Sequence, residues 1–163
     1  MEKLLCISQQ MYYNKRKSYK GEIDMKIMAI DYGDARTGVA ISDLMCSIVG
    51  SSTVVPSRNR DKAVADIVRL CKDNGVGVIV VGLPRNMDGS EGPRAELCRE
   101  FASVLADATG LEIVMWDERR TTVEAHNILS QHNYHGKKRK DTVDAVAASL
   151  ILEGYLAFRK RNA

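Results

Sequence analysis

Three short segments place carboxylates where side-chain patterning alone would not require them. In KIMAIDYGDARTGVAISD, Lys26 to Asp43, an apolar run drives into Asp31, turns at Gly33, and resumes as a second apolar run. In WDERRTT, Trp116 to Thr122, another apolar run delivers Asp117 and Glu118 at its end. In KKRKDTVDAVAASL, Lys137 to Leu150, Asp141 and Asp144 stand three apart at the head of a helix and share one face. Each acid has a plainer role open to it: Asp31 could bond its own turn, Asp117 and Glu118 could pair with Arg119 and Arg120, and Asp141 could cap the helix. Capping explains Asp144 less well, because Ala145 to Leu152 are all apolar or small. Gathered in one pocket, Asp31, Glu118 and Asp144, with Asp141 adjacent, would repel one another and call for a cation. A set of oxygen donors selects Mg²⁺ or Mn²⁺, whereas zinc prefers nitrogen or sulfur. Two such ions about 3.5 to 4 Å apart could activate a water and stabilise the leaving oxygen of a phosphoryl displacement.

The elements that must position these acids follow from periodicity. Lys26–Ile30, Gly38–Ser42 and Ser47–Val55 read as three strands of an antiparallel meander. From Arg58 the period changes: Val64, Ile67, Val68 and Cys71 form one helical stripe that stops before Asn74-Gly75. Val76–Val81 is an unbroken apolar strand, expected to be covered on both faces. Gly82–Pro93 is a loop, and a second helix carries Leu97, Phe101, Val104, Leu105 and Ala108 inward before ending at Gly110. Leu111–Trp116 is a fifth strand. Thr121 with Glu124 resembles a capping box opening a third helix, Asn133–Lys140 is a polar loop, and Asp141 onward begins a last helix with Val143, Val146, Ala147, Leu150 and Ile151 inward. This order implies an α/β fold with a mixed five-stranded sheet, three antiparallel strands then parallel ones, flanked by about four helices.

At 163 residues the chain suits one domain, expected over 25–163. With 45% hydrophobic and 28% charged residues, it has no apolar stretch near the roughly 20 residues of a membrane span, so no membrane partner is expected. Four scattered cysteines without a C-x-x-C pair fit a reduced, cytoplasmic compartment. Residues 1–24 lack sustained periodicity or signal-peptide architecture and are expected to form a tail. Lys20-Gly21-Glu22 can be encoded AAA GGA GAA, a ribosome-binding sequence shortly before the Met25 codon, so translation is expected to start naturally at Met25. A net charge of +3 implies nothing about nucleic acid; the basic clusters at 14–17, 137–140 and 159–161 read first as solvated faces. His132 and His135 have H-x-x-H spacing, but no third zinc ligand lies near them in sequence.

The segments IDYGDARTGVAISD, VVGLPRNMDGSEGP, WDERRTTVEA and KRKDTVDAVAASLILEGY, in that order from Met25 to Tyr155, resemble the YqgF family of bacterial nucleases, also described as Holliday junction resolvases. The resemblance implies an RNase H-like fold similar to RuvC and, as its best-supported role, maturation of the 5′ end of pre-16S ribosomal RNA in ribosome biogenesis. It implies that Asp31, Glu118 and Asp144 are catalytic and bind Mg²⁺ or Mn²⁺ at a two-metal site, with Asp141 as a further metal-binding acid. Where RuvC carries a catalytic Glu, this chain has Gly82, so the second acid must come from Glu118. The resemblance also gives the basic residues a context: Arg85, Asn86, Arg94, Arg119, Lys137, Lys138, Arg139 and Lys140 would track a nucleic-acid backbone around the metals.

The other readings are a Holliday junction resolvase acting on four-way DNA, a non-catalytic nucleic-acid or protein-binding module, and a phosphate-loop ATPase. The last is disfavoured because the chain lacks a second glycine-rich motif, and the binder because it has no use for mutually repelling acids. A monomer or weak homodimer is expected; RNA against DNA is not written in the motifs.

Overall fold

The computed structural model describes residues 25–120 and 137–162. The expected tail at 1–24 and the helix expected from Thr121 lie outside them. β1 (Lys26–Asp31), β2 (Arg36–Ser42) and β3 (Val49–Pro56) are followed by α1 (Arg60–Asn74), β4 (Val76–Leu83), α2 (Pro93–Thr109) and β5 (Glu112–Asp117). A single 3₁₀ turn, Glu118–Arg120, follows β5, and α3 spans Lys137–Arg161. No helix among the described residues is long and apolar enough to cross a membrane.

The sheet order is β3-β2-β1-β4-β5, with β3, β2 and β1 antiparallel and β1, β4 and β5 parallel. This is the mixed five-stranded sheet expected from the sequence. Two cores sandwich it. Alternate residues Met28, Ile30, Val39, Ile41, Ile79 and Val81 face α1 and α2, packing on Ile67, Phe101 and Leu105. Their neighbours Ile27, Ala29, Ala40, Val78 and Val80 face α3, against Ala148, Ile151, Leu152 and Tyr155. Every residue of β4 is buried, as its unbroken apolar sequence requires. Each fully buried Ile or Phe of these cores contributes about 1.5–3 kcal/mol relative to exposure.

Local chemistry sets the helix ends. Asn59 caps α1, its Oδ1 accepting from the Lys62 N–H at 3.0 Å, and Gly75 ends the helix at φ 65°. Pro93 opens α2 where its missing N–H costs nothing, and Gly110 closes it at φ 67°.

Three expectations are corrected. β4 runs on to Leu83, so Gly82 lies inside the strand and not in the loop. The inward face of α2 is Ala95, Cys98, Phe101, Ala102 and Leu105, whereas Leu97 is 42% exposed: Ala95 and Cys98 fill the narrow space beneath Leu83. The final helix starts at Lys137, so the basic run forms its first turn instead of a loop. Lys and Arg are good helix formers, and they extend the helix past the position where Asp141 was expected to cap it.

Candidate active site

β1 delivers Asp31 to the end of the sheet on the face that α3 covers, two residues beyond Ala29 on the same side. On β2, Gly38 is its cross-strand partner. A Cβ at Gly38 would collide with the Asp144 carbonyl oxygen, and would lie 2.7 Å from the Asp144 carbonyl carbon and 3.3 Å from Ala148 Cβ. The absent side chain lets α3 settle on the sheet with Asp144 beside the Asp31 strand end.

Glu118 arrives from the other side. Val114 and Trp116 of β5 face α3, so alternation sends Asp117 to the opposite face, and the 3₁₀ turn then carries Glu118 back. The Glu118 carboxylate lies over Gly82 on β4, where a Cβ would collide with Glu118 Oε1 and sit 2.7 Å from Ile151 Cδ1. The strand that lacks an acid thus leaves room for one from its neighbour.

The electrostatics record the convergence. Burial pushes Asp31 up to about 6, with repulsion from Asp144 adding and Arg94 opposing. Burial pushes Glu118 up to about 7, with Asp31 adding, Arg94 opposing and Asp117 adding. Asp31 therefore feels both Glu118 and Asp144. Asp144 Oδ2 lies 3.2 Å from Arg36 Nε. Among the described residues, no three His, Cys, Asp or Glu side chains already surround one ion position. The donors are nonetheless of the right kind for a hard divalent cation: neighbouring carboxylates, two of them half-buried and harder to ionise than a free acid.

Among the described residues, the expected nucleic-acid contacts Arg85, Asn86, Arg94 and Arg119 are engaged in shaping the rim. Arg94 donates to the Tyr32 carbonyl and to Asp34 Oδ1, and lies 5.4 Å over the Tyr32 ring, which stacks on Phe101 at 4.0 Å. It acts on the acids as a fixed neighbouring cation. Arg85 and Arg99 share Glu91, and Asn86 Nδ2 donates to Ser90 Oγ at 2.8 Å, closing the 84–92 loop on itself. Arg119 pairs with Asp117 at 2.6 Å. Lys137, Lys138, Arg139 and Lys140 lie on the first turn of α3 by their backbone; their side chains, and that of Asp141, are outside the described part.

Sequence reading missed Gly38 and Arg36. Pairing β1 with β2 would have set a glycine opposite Asp31; nothing in the sequence joins Arg36 to Asp144.

A family model described as "RuvX: Holliday junction resolvase" matches residues 25–158. Relatives named "Putative pre-16S rRNA nuclease" include one from Carboxydothermus hydrogenoformans, 41% identical over 138 residues that cover 85% of this chain and all of that one. Another, from Pelotomaculum thermopropionicum, is 44% identical over 133 residues, 81% of this chain and 86% of its own. Among solved structures, Thermus thermophilus RuvC bound to a Holliday junction superposes with a TM-score of 0.51 at 13% identity, covering 85% of this chain and 98% of that one. The fowlpox virus Holliday junction resolvase gives 0.50 at 14% identity, covering 85% and 100%. At those identities the likeness is one of fold.

Proposed function

The chain belongs to the RuvX (YqgF) family of Holliday junction resolvases, and from that membership we propose that it is a divalent-metal-dependent nuclease that processes pre-16S ribosomal RNA at its 5′ end. It is a phosphodiester hydrolase acting on nucleic acid. What supports the reading is that Asp31 lies close enough to Asp144 and to Glu118 for their charges to repel, which adds to the desolvation that raises the half-buried Asp31 and Glu118.

Asp31 and Glu118 would hold Mg²⁺ or Mn²⁺, joined by Asp144, with Asp141 as a further ligand. The bound ions supply charge neutralisation and activation of the attacking water. The protein's part is to mount the carboxylates rigidly: Asp31 on a strand buried on both faces, Glu118 over Gly82, and Asp144 on a helix held against Gly38. Arg94, fixed by Tyr32 and Asp34, offsets part of the negative charge before the cation arrives. Arg85, Asn86, Arg119 and Lys137 to Lys140 would contact the polyanion. Neutralising Lys137 to Lys140 should weaken binding and flatten its salt dependence without stopping the chemistry.

The test is side-by-side digestion of a pre-16S rRNA fragment and a four-way DNA junction with Mn²⁺, by wild type and Asp31→Asn. Cleavage of the RNA by wild type alone is expected. Cleavage confined to the junction would move the substrate to DNA, and undiminished cleavage by Asp31→Asn would remove the site.

A further inference from the structure

The α3 face of the sheet is covered unevenly. The helix packs over β1 and β2 and reaches the edge strand β3, yet four successive β3 residues, 50–53, stay exposed. Between β3 and the first half of α3 runs an open groove of about 890 Å³. Its floor is Ser52 and Val54, which pair with Ala40 and Gly38 and so share the α3-facing side. Its wall is Val146 and Ser149, about half a turn and one and a half turns beyond Asp144. Arg36 and Arg58 stand at its end, and among the described residues no Asp or Glu lines it.

We propose that this groove carries the nucleic-acid strand flanking the cut, with Arg36 and Arg58 each taking a backbone phosphate; the proposal rests on the nuclease reading above. Arg36 joins the two places physically, because the side chain that lines the groove is also the one 3.2 Å from Asp144. A strand leaving the acids on this side enters the groove at once. Guanidinium groups match phosphate oxygens in pairs, and the exposed Ser52 hydroxyl adds a short-range donor. The exposed Arg58 has no hydrogen-bond or ion-pair partner among the described residues, unlike Arg85, Arg94 and Arg119. Its charge is not already used by the fold. The edge of β3, unpaired among the described residues, could also receive a peptide or a second copy of the chain, but a described lining with two arginines and no acid favours a polyanion.

The test uses Arg58→Glu and Ser52→Trp, the first reversing the charge and the second filling the groove at an exposed position. Both are made in the Asp31→Asn background so that bound nucleic acid stays intact, and a thermal melt checks that each folds. Affinity for the pre-16S rRNA fragment and the four-way junction is measured by fluorescence anisotropy across a salt series. Arg58→Glu should weaken binding about tenfold and lower the salt slope by about one, and Ser52→Trp should weaken it comparably. Mn²⁺ affinity by calorimetry, in the Asp31-containing protein, should not change with either substitution. A loss on one nucleic acid alone supports the groove and identifies which strand it takes. Unchanged affinity and slope in both variants, with wild type still cutting, would overturn the groove and leave the nuclease standing. A change in oligomeric state by light scattering with nucleic-acid affinity intact would make this face a contact between copies. Wild type that neither binds nor cuts either substrate would overturn both.

Discussion

The Glu118 carboxylate occupies the space that a side chain on Gly82 would fill, with its Cδ 2.8 Å from the position of a Cβ there. Two positions on neighbouring strands have traded roles: the interior strand β4 gives up its side chain, and the end of β5 supplies the acid. Glu118 thereby reaches the neighbourhood of Asp31 although it follows the outer of the two strands. Gly82→Ala should therefore disable the site without touching an acid. The new methyl must displace Glu118 or Ile151, and a shift of about 1 Å in a reacting group costs roughly 100-fold in rate. We expect kcat to fall by about that factor, nucleic-acid affinity to stay within about twofold, and stability to drop by roughly 1–3 kcal/mol from overpacking. Steady-state kinetics beside a denaturant melt separate these effects; a wild-type kcat would show that the position of Glu118 is not critical.

The raised carboxyls make a second prediction. Asp31 moves from 3.8 to about 6 and Glu118 from 4.5 to about 7, so the folded chain binds these protons more tightly than the unfolded chain does. Stability tied to them is fully present below about pH 4 and is lost as pH rises through 6 to 7. Asp31→Asn cannot ionise. In metal-free buffer its Tm should match wild type at pH 4 and exceed it by roughly 5 °C at pH 7.5. Saturating Mg²⁺ should close the gap, since it stabilises only the wild-type cluster. A gap independent of pH would mean that Asp31 is not held in a repulsive site.

Why some of this was legible in the sequence, and some not, follows from the range of each interaction. Asp31 and Glu118 betrayed themselves locally, because a strand that ends on an acid departs from its own pattern. The fully buried strand β4 and the Gly75 and Gly110 stops were legible for the same reason. Gly38 is different: only the β1–β2 register and the helix packed over it reveal that its missing side chain admits Asp144. The start of α3 was misjudged because a run of four basic residues reads as a loop by its charge, whereas backbone propensity continues the helix through it. The ion pairs of Arg85, Arg94 and Arg119 join side chains whose partners no pattern specifies.

Gly38 makes the third prediction. Its Cβ position conflicts with the backbone of α3, not with a flexible side-chain end, so Gly38→Ala cannot be absorbed by a rotamer change. The helix must lift at Asp144. We expect a loss of about 1–3 kcal/mol in stability, larger than for an alanine at the open Gly92, together with weaker Mn²⁺ binding. Denaturant melts and calorimetry on the two variants test this. Equal costs at the two glycines would show that α3 does not depend on the close approach.

The last prediction concerns Arg36, whose Nε sits 3.2 Å from Asp144 Oδ2 while its side chain also lines the groove beside β3. A divalent ion and a guanidinium compete for the same carboxylate oxygens, so the ion pair opposes recruitment of Asp144 to a metal. With both side chains a little over a quarter exposed, the pair is only partly desolvated and remains easy to exchange. Arg36→Met keeps the apolar stem and removes the charge. Calorimetry should then show Mn²⁺ binding about threefold to tenfold tighter, since a cation no longer stands beside the acids. Nucleic-acid affinity should fall in the same variant, because a phosphate contact is lost with the charge. The two measurements moving in opposite directions would identify Arg36 as a group shared between Asp144 and the substrate strand. Weaker Mn²⁺ binding would instead mean that the arginine orients Asp144 for the ion.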